Sequence, residues 1–257
     1  MKTKIICIVC ILSTPFLWGK NRNDLFLKNY MEGNHLNGTV VIESLKTKER
    51  HVYNEKRSKE YFLPASTFKI VNTLIALWEK VIHDETEIIK WDGKDKGRVE
   101  WNKDQNLKSA FAVSCVWFYQ ELAKRIGNDR YLIYLRKIRY GNMKTGSGVD
   151  SFWLNGDLRI SAVGQISVLK DIYAKNGPFD GSAYEILKSI MIVDKTDDYI
   201  VRAKTGAASN VGWYVGYLET GDDVYFFSCN IDIADNEQLK YRKEIIYTAF
   251  KELGIIK

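Results

Sequence analysis

Histidine and cysteine are scarce in this 257-residue chain: the three histidines are scattered, and neither Cys115 nor Cys229 has metal-ligand spacing, so no zinc site is expected. No long linker, repeat or low-complexity tract interrupts it, which argues for one globular unit able to bury a substantial core. Nor is there an apolar run long enough to span a membrane comfortably. The nearest approach is N-terminal, where Lys2 and Lys4 precede Ile5, Ile6, Ile8, Val9, Ile11 and Leu12. That pattern reads as a secretory signal peptide over residues 1–19, cleaved near Gly19, which leaves 20–257 exported to the periplasm without stable membrane insertion. Cys7 and Cys10 would leave with the leader. Cys115 and Cys229, flanked by large apolar or aromatic residues, read as buried free thiols, although an exported compartment would permit a bridge.

The charge is also without a block of one sign. The formal net charge is +6, and removing Lys2 and Lys4 lowers it to +4, spread over the whole chain. Runs such as Arg136-Lys137 are solvated faces, so no nucleic-acid partner is expected, while a mild positive field favours anionic substrates.

What is present is a hydroxyl stacked on an amine. Ser66-Thr67-Phe68-Lys69 follows Pro64-Ala65 and opens an apolar helical run, Phe68, Ile70, Val71, Leu74 and Ile75. At a spacing of three on a helix, the Ser66 and Lys69 side chains share a face and can touch. A serine is a poor nucleophile at neutral pH, and lysine can take its proton only if burial lowers the amine's pKa. Ser-x-x-Lys alone is weak, because average composition gives roughly one chance match in a chain of this length. Three further motifs follow in order: Ser114-Cys115-Val116, on an apparently continuous helix from Leu107 to Ile126; Tyr140-Gly141-Asn142, ending a short helical run; and Lys204-Thr205-Gly206, closing a strand.

This quartet resembles the penicillin-recognising serine enzymes, and in detail the class D, oxacillinase-type serine β-lactamases. The resemblance runs from about Gly38-Thr39-Val40-Val41 to the C-terminal helix, and Phe152-Trp153-Leu154 with Gly156 fits that class better than its relatives. It implies a β-lactam amidohydrolase that opens the β-lactam ring of penicillin-type antibiotics through a Ser66 acyl-enzyme and thereby confers resistance. Lys69 would act as an N6-carboxylysine, a carbamate formed with carbon dioxide or bicarbonate, serving as general base for acylation and deacylation. No other cofactor is implied. The carbamate pocket would be Phe68, Val116 and Trp153, with the Trp153 N–H as donor. Ser114 and Lys204 would relay a proton to the departing ring nitrogen. The amides of Ser66 and Ala207 would form the oxyanion hole; Thr205, Gly206 and Arg242 would bind substrate. Tyr140, Gly141 and Asn142 read as structural support, with Gly141 left-handed, and Asp150 as an exposed loop carboxylate. Ala207 departs from the family, many members of which carry an aromatic residue there, so a side-chain shelf for the substrate is missing.

The expected fold is α+β: an α/β sandwich whose antiparallel sheet is built from both chain ends, about 20–62 and 197–257, plus an all-helical region of about 63–196. Strands are expected at Thr39–Ile42, Arg50–Tyr53, Tyr199–Ala203, Gly212–Leu218 and Val224–Ser228. Helices are expected at Ile160–Ala174 with Ser161 as N-cap, Tyr184–Val193, and Gln238–Leu253 ending at Gly254. The site would lie in the seam between the two regions. Two other readings use the same motifs: a β-lactam sensor that stays acylated, whose relatives hang from several membrane helices, and a D-alanyl-D-alanine peptidase, whose relatives place Asn where Val116 stands. A monomer or a homodimer fits equally.

Overall fold

The computed structural model describes residues 24–257, and the signal-peptide reading of 1–19 lies outside them. Helix α1 (Leu25–Gly33) leads into strand β1 (Gly38–Ser44), which turns back as β2 (Arg50–Tyr53). The runs of Val, Ile and Tyr that suggested these strands pair antiparallel, Val41 opposite Val52. The chain leaves the sheet through the short helix α2 (Glu55–Ser58) and a 3-10 turn (Ala65–Phe68), continuous with α3 (Lys69–Trp78). Helices α4 (Leu107–Ala112), α5 (Val116–Ile126), α6 (Asn128–Lys137), α7 (Ala162–Tyr173) and α8 (Gly181–Ile190) follow. Strands β3 (Ile192–Lys195), β4 (Tyr199–Ala208), β5 (Val211–Thr220) and β6 (Val224–Asp232) then return to the sheet, and α9 (Tyr241–Glu252) ends the fold.

The described sheet has the order β2-β1-β6-β5-β4-β3, with antiparallel neighbours throughout. Strand alternation sends side chains to two separate cores. Val40, Ile42, Tyr214, Leu218, Phe227 and Cys229 meet Leu27 and Met31 of α1 and Ile245, Ile246 and Phe250 of α9. Val41, Trp213, Val215, Tyr217 and Phe226 point the other way, into the core formed by the inserted helices. Each fully buried Ile or Phe contributes about 1.5–3 kcal/mol, so both helical layers are fixed by their apolar stripes. The α+β class, with a sheet drawn from both chain ends, is what the sequence leads one to expect.

Several boundaries differ from the sequence reading: β4 pairs with β5 as far as Ala208, so Lys204-Thr205-Gly206 lies within the strand and does not close it. The helix expected over Leu107–Ile126 is two, α4 and α5, broken where Ser114 takes a φ of +56°. The helix expected over Tyr184–Val193 is α8, which stops at Ile190; Ile192 and Val193 already belong to β3, so the sheet's outer edge starts inside the stretch read as helical. The apolar pair continues the α8 pattern in sequence but is half exposed on that edge. The last helix begins at Tyr241, after a 3-10 turn over Asn236–Lys240, and Gly254 takes the left-handed φ of +68° that its place after the helix suggested. Ser161 caps α7 as expected, accepting from the Gly164 amide at 3.1 Å.

Candidate active site

Pro64 ends the extended entry, and the next four residues form the 3-10 turn that carries the Ser66 hydroxyl. Ala65 is held at a φ of +50°, costly for a residue with a Cβ, and its amide is tied to the Trp153 carbonyl at 2.9 Å. Thr67 steadies the same turn: its hydroxyl donates to Pro64 O at 2.7 Å and accepts from Gln165 Nε2 at 2.8 Å. One turn on, Lys69 Nζ donates to Ser66 Oγ at 2.9 Å. The spacing of three therefore produces the contact it suggested.

Lys69 is fully buried and has no carboxylate beside it among the described residues; burial pushes its amine down to about 7. Its surroundings are aromatic. The Nζ lies 5.1 Å from the Tyr119 ring centroid, and Phe68 packs against Trp153, Phe152 and Tyr140 at 5.7, 5.2 and 5.4 Å. The Trp153 indole N–H is buried and has no hydrogen-bond acceptor among the described residues. Such an orphaned donor is costly and marks a place built for an acceptor. Val116 opens α5, directly after the buried thiol of Cys115.

A second hydroxyl–amine pair is made between distant segments. Lys204, on β4, donates to Ser114 Oγ at 3.0 Å and to the Thr205 carbonyl at 3.0 Å. Burial holds the Lys204 amine well below the usual lysine value, and the positive charges of Lys69, Arg242 and Lys243 push it the same way.

Strand β4 runs close along the Ser66 turn. A Cβ at Gly206 would sit 3.0 Å from Pro64 O and 3.2 Å from the Thr67 amide, so a side chain there would fit only if the strand or the turn gave by a few tenths of an ångström. Arg242, near the start of α9, donates from Nη1 to Gly206 O at 3.0 Å; burial lowers its guanidinium to about 10, and its Nε is buried without a hydrogen-bond partner among the described residues. Thr205 is half buried opposite Tyr214, and Ala207 is exposed opposite Gly212, beside the two-residue turn Ser209-Asn210.

Tyr140-Gly141-Asn142 supports the site from below. Gly141 has a φ of +53°, and a Cβ on it would lie 1.9 Å from Arg159 O. Asn142 bonds the Asp157 carbonyl at 2.7 Å and the Arg159 amide at 3.0 Å, pinning the loop that carries Trp153. Asp150 is engaged by Lys124 at 3.4 Å on the loop surface. Ser66, Lys69, Ser114, Lys204, Gly206 and Arg242 thus converge from four segments. Thr67, Gln165 and Tyr119 are site residues that the motifs did not indicate; Thr67 is read only once the turn is seen, and Tyr119 only by its place on the inner face of α5.

The profile of the penicillin binding protein transpeptidase domain matches residues 37–251. The β-lactamase OXA-48 of Klebsiella pneumoniae is 40% identical over 223 residues, 85% of this chain and 84% of its own. The β-lactamase OXA-10 of Pseudomonas aeruginosa is 34% identical over 258 residues, covering 98% and 97%. Among solved structures, FUS-1 (OXA-85), a class D β-lactamase from Fusobacterium nucleatum subsp. polymorphum, superposes with a TM-score of 0.89 at 40% identity, covering 91% of this chain and 99% of that one. A class D β-lactamase from Sebaldella termitidis gives 0.87 at 40% identity, covering 90% and 97%. Similarity of that extent, on a fold that carries a buried Ser66–Lys69 pair and a part-buried Ser114–Lys204 pair, has a single reading: the chain belongs to the class D serine β-lactamases.

Proposed function

We propose that the protein hydrolyses the amide of β-lactam antibiotics through an acyl-enzyme on Ser66. The observation that carries this reading is the fully buried Lys69 amine, lowered to about 7, in direct contact with the serine hydroxyl at 2.9 Å. Near neutral pH about half of such amines are uncharged, which is what reaction with carbon dioxide requires. A carbamate on Lys69 would supply an oxygen base for the Ser66 proton and later for the deacylating water. Phe68, Val116 and Trp153 would hold it, and the unpaired Trp153 N–H is suited to its charge.

Ser66 Oγ attacks the lactam carbonyl, forming the ester bond as its proton leaves. The amides of Ser66 and Ala207 receive the developing oxyanion. Cleavage of the C–N bond leaves a basic ring nitrogen, which takes a proton through the Ser114 hydroxyl, supported by Lys204 at 3.0 Å. Thr205 and the edge of β4 hold the acyl amide side chain, and the cationic wall of Lys204 and Arg242 takes the substrate carboxylate. Water then attacks the ester and frees Ser66. Exported to the periplasm, this activity would confer resistance. The test is a Ser66→Ala variant assayed with a chromogenic cephalosporin: turnover is expected to vanish, and retained hydrolysis would overturn the proposal.

A further inference from the structure

The turn that presents Ser114 has an unusual construction. Helix α4 ends with the Ser114 amide donating to Phe111 O at 3.2 Å and the Cys115 amide to Ala110 O at 2.8 Å. This is the paired bonding of a Schellman cap, with Ser114 at the left-handed position normally given to glycine, at a φ of +56°. A residue with a Cβ pays for that conformation, so its surroundings must hold it there. Helix α5 starts immediately afterwards, leaving no slack in the chain.

Two indoles bracket this turn. Trp101 Nε1 donates at 3.0 Å to Val113 O, a carbonyl at the α4 end next to Ser114. Trp117, in the first turn of α5, donates from its own Nε1 to Trp101 O at 2.8 Å. The residue that grips the end of α4 is therefore itself gripped by the start of α5. Arg98 adds a cation over the Trp101 ring at 5.2 Å, and buried Gln105 fastens the same segment through the Glu100 carbonyl at 2.8 Å.

We propose that Trp101 and Trp117 are positioning residues: their chained indole bonds, Trp117 to Trp101 and Trp101 to Val113, lock the left-handed turn and so keep the Ser114 hydroxyl on Lys204 for proton delivery to the departing nitrogen. This rests on the hydrolase reading above. The lock serves acylation, the step in which the lactam nitrogen leaves, and not deacylation, in which no nitrogen departs.

Trp117→Phe removes one indole donor and keeps most of the ring. Acylation and deacylation are followed separately by stopped flow and intact-protein mass spectrometry with a slowly released penicillin. The burst amplitude counts competent molecules, so the rate constants refer to folded enzyme. Acylation is expected to slow about tenfold, as for a displaced reacting group, with deacylation within about twofold of the unmodified protein. Trp101→Phe, read the same way, removes the other donor. The decisive comparison is in a Ser114→Ala background, where alanine keeps the backbone demand and loses only the hydroxyl: there Trp117→Phe should no longer slow acylation. An unchanged acylation rate in both variants, or an equal loss with and without the Ser114 hydroxyl, overturns the inference. Absence of any turnover of a chromogenic cephalosporin by the unmodified protein would instead overturn the hydrolase reading beneath it.

Discussion

Replacing Lys69 with methionine should abolish turnover and stabilise the fold. The lysine is wholly buried, and burial takes its amine from the ordinary 10.5 to about 7. Between those two values the unfolded chain binds a proton that the folded one has released, so stability rises with pH across the window and is lost as pH falls through it. At about 1.4 kcal/mol per pH unit, holding an unmodified Lys69 inside at pH 7 costs about 4 kcal/mol, falling to between about 1 and 2 kcal/mol by pH 9.5. Methionine fills a similar volume without a charge but forfeits the bond to Ser66, worth about 1 kcal/mol. The variant is therefore expected to be more stable by about 3 kcal/mol at pH 7 and by under about 1 kcal/mol at pH 9.5. Urea unfolding of both proteins in carbon-dioxide-free buffer at the two pH values reads the difference directly. A variant no more stable than the parent at pH 7, or a gap that does not close at high pH, would refute the account of a desolvated amine. Bicarbonate should narrow the gap at pH 7 by stabilising only the lysine protein.

Two further outcomes follow from the same geometry. Trp153→Phe deletes the buried, unpaired indole N–H, and the bicarbonate concentration for half-maximal activity should rise about tenfold or more; an unaltered bicarbonate dependence would remove Trp153 from the carbamate pocket. Gly141→Ala places a methyl 1.9 Å from Arg159 O at a left-handed φ and should cost about 3 kcal/mol or more, seen as a lowered urea midpoint; a loss under about 1 kcal/mol would mean that the loop yields freely.

Much of the site could be read from residue types because its first contact is local. Ser66 and Lys69 stand one helical turn apart, and no tertiary information is needed to bring them together. The β-branched runs of β1 and the aromatic, alternating runs of β5 and β6 likewise announce themselves. The break at Ser114 does not, because Val113-Ser114-Cys115 contains neither Gly nor Pro; only tertiary contacts, Lys204 on one side and the two indoles on the other, make a left-handed serine tolerable. Strand β3 was hidden for a related reason. Ile192 and Val193 prolong the apolar spacing of α8, and pairing with β4, not local preference, turns them into a strand. Helix α1 has no side-chain cap at its start and owes its place to α9 and β1. Arg242 was recognisable only through the family, since the bond to Gly206 O spans chain segments that meet nowhere in the linear order.

Pairing β1 with β6, Gly38 opposite Ile231 through Ser44 opposite Tyr225, has a consequence for biosynthesis. A ribosome must deliver nearly the whole polypeptide before β1 finds its second neighbour. Until then a strand buried along its full length in the finished molecule has one bare margin of amides and carbonyls, open to any other extended chain. Premature stops upstream of β6 should accordingly yield material destined for proteases or inclusion bodies, with no partially working fragment.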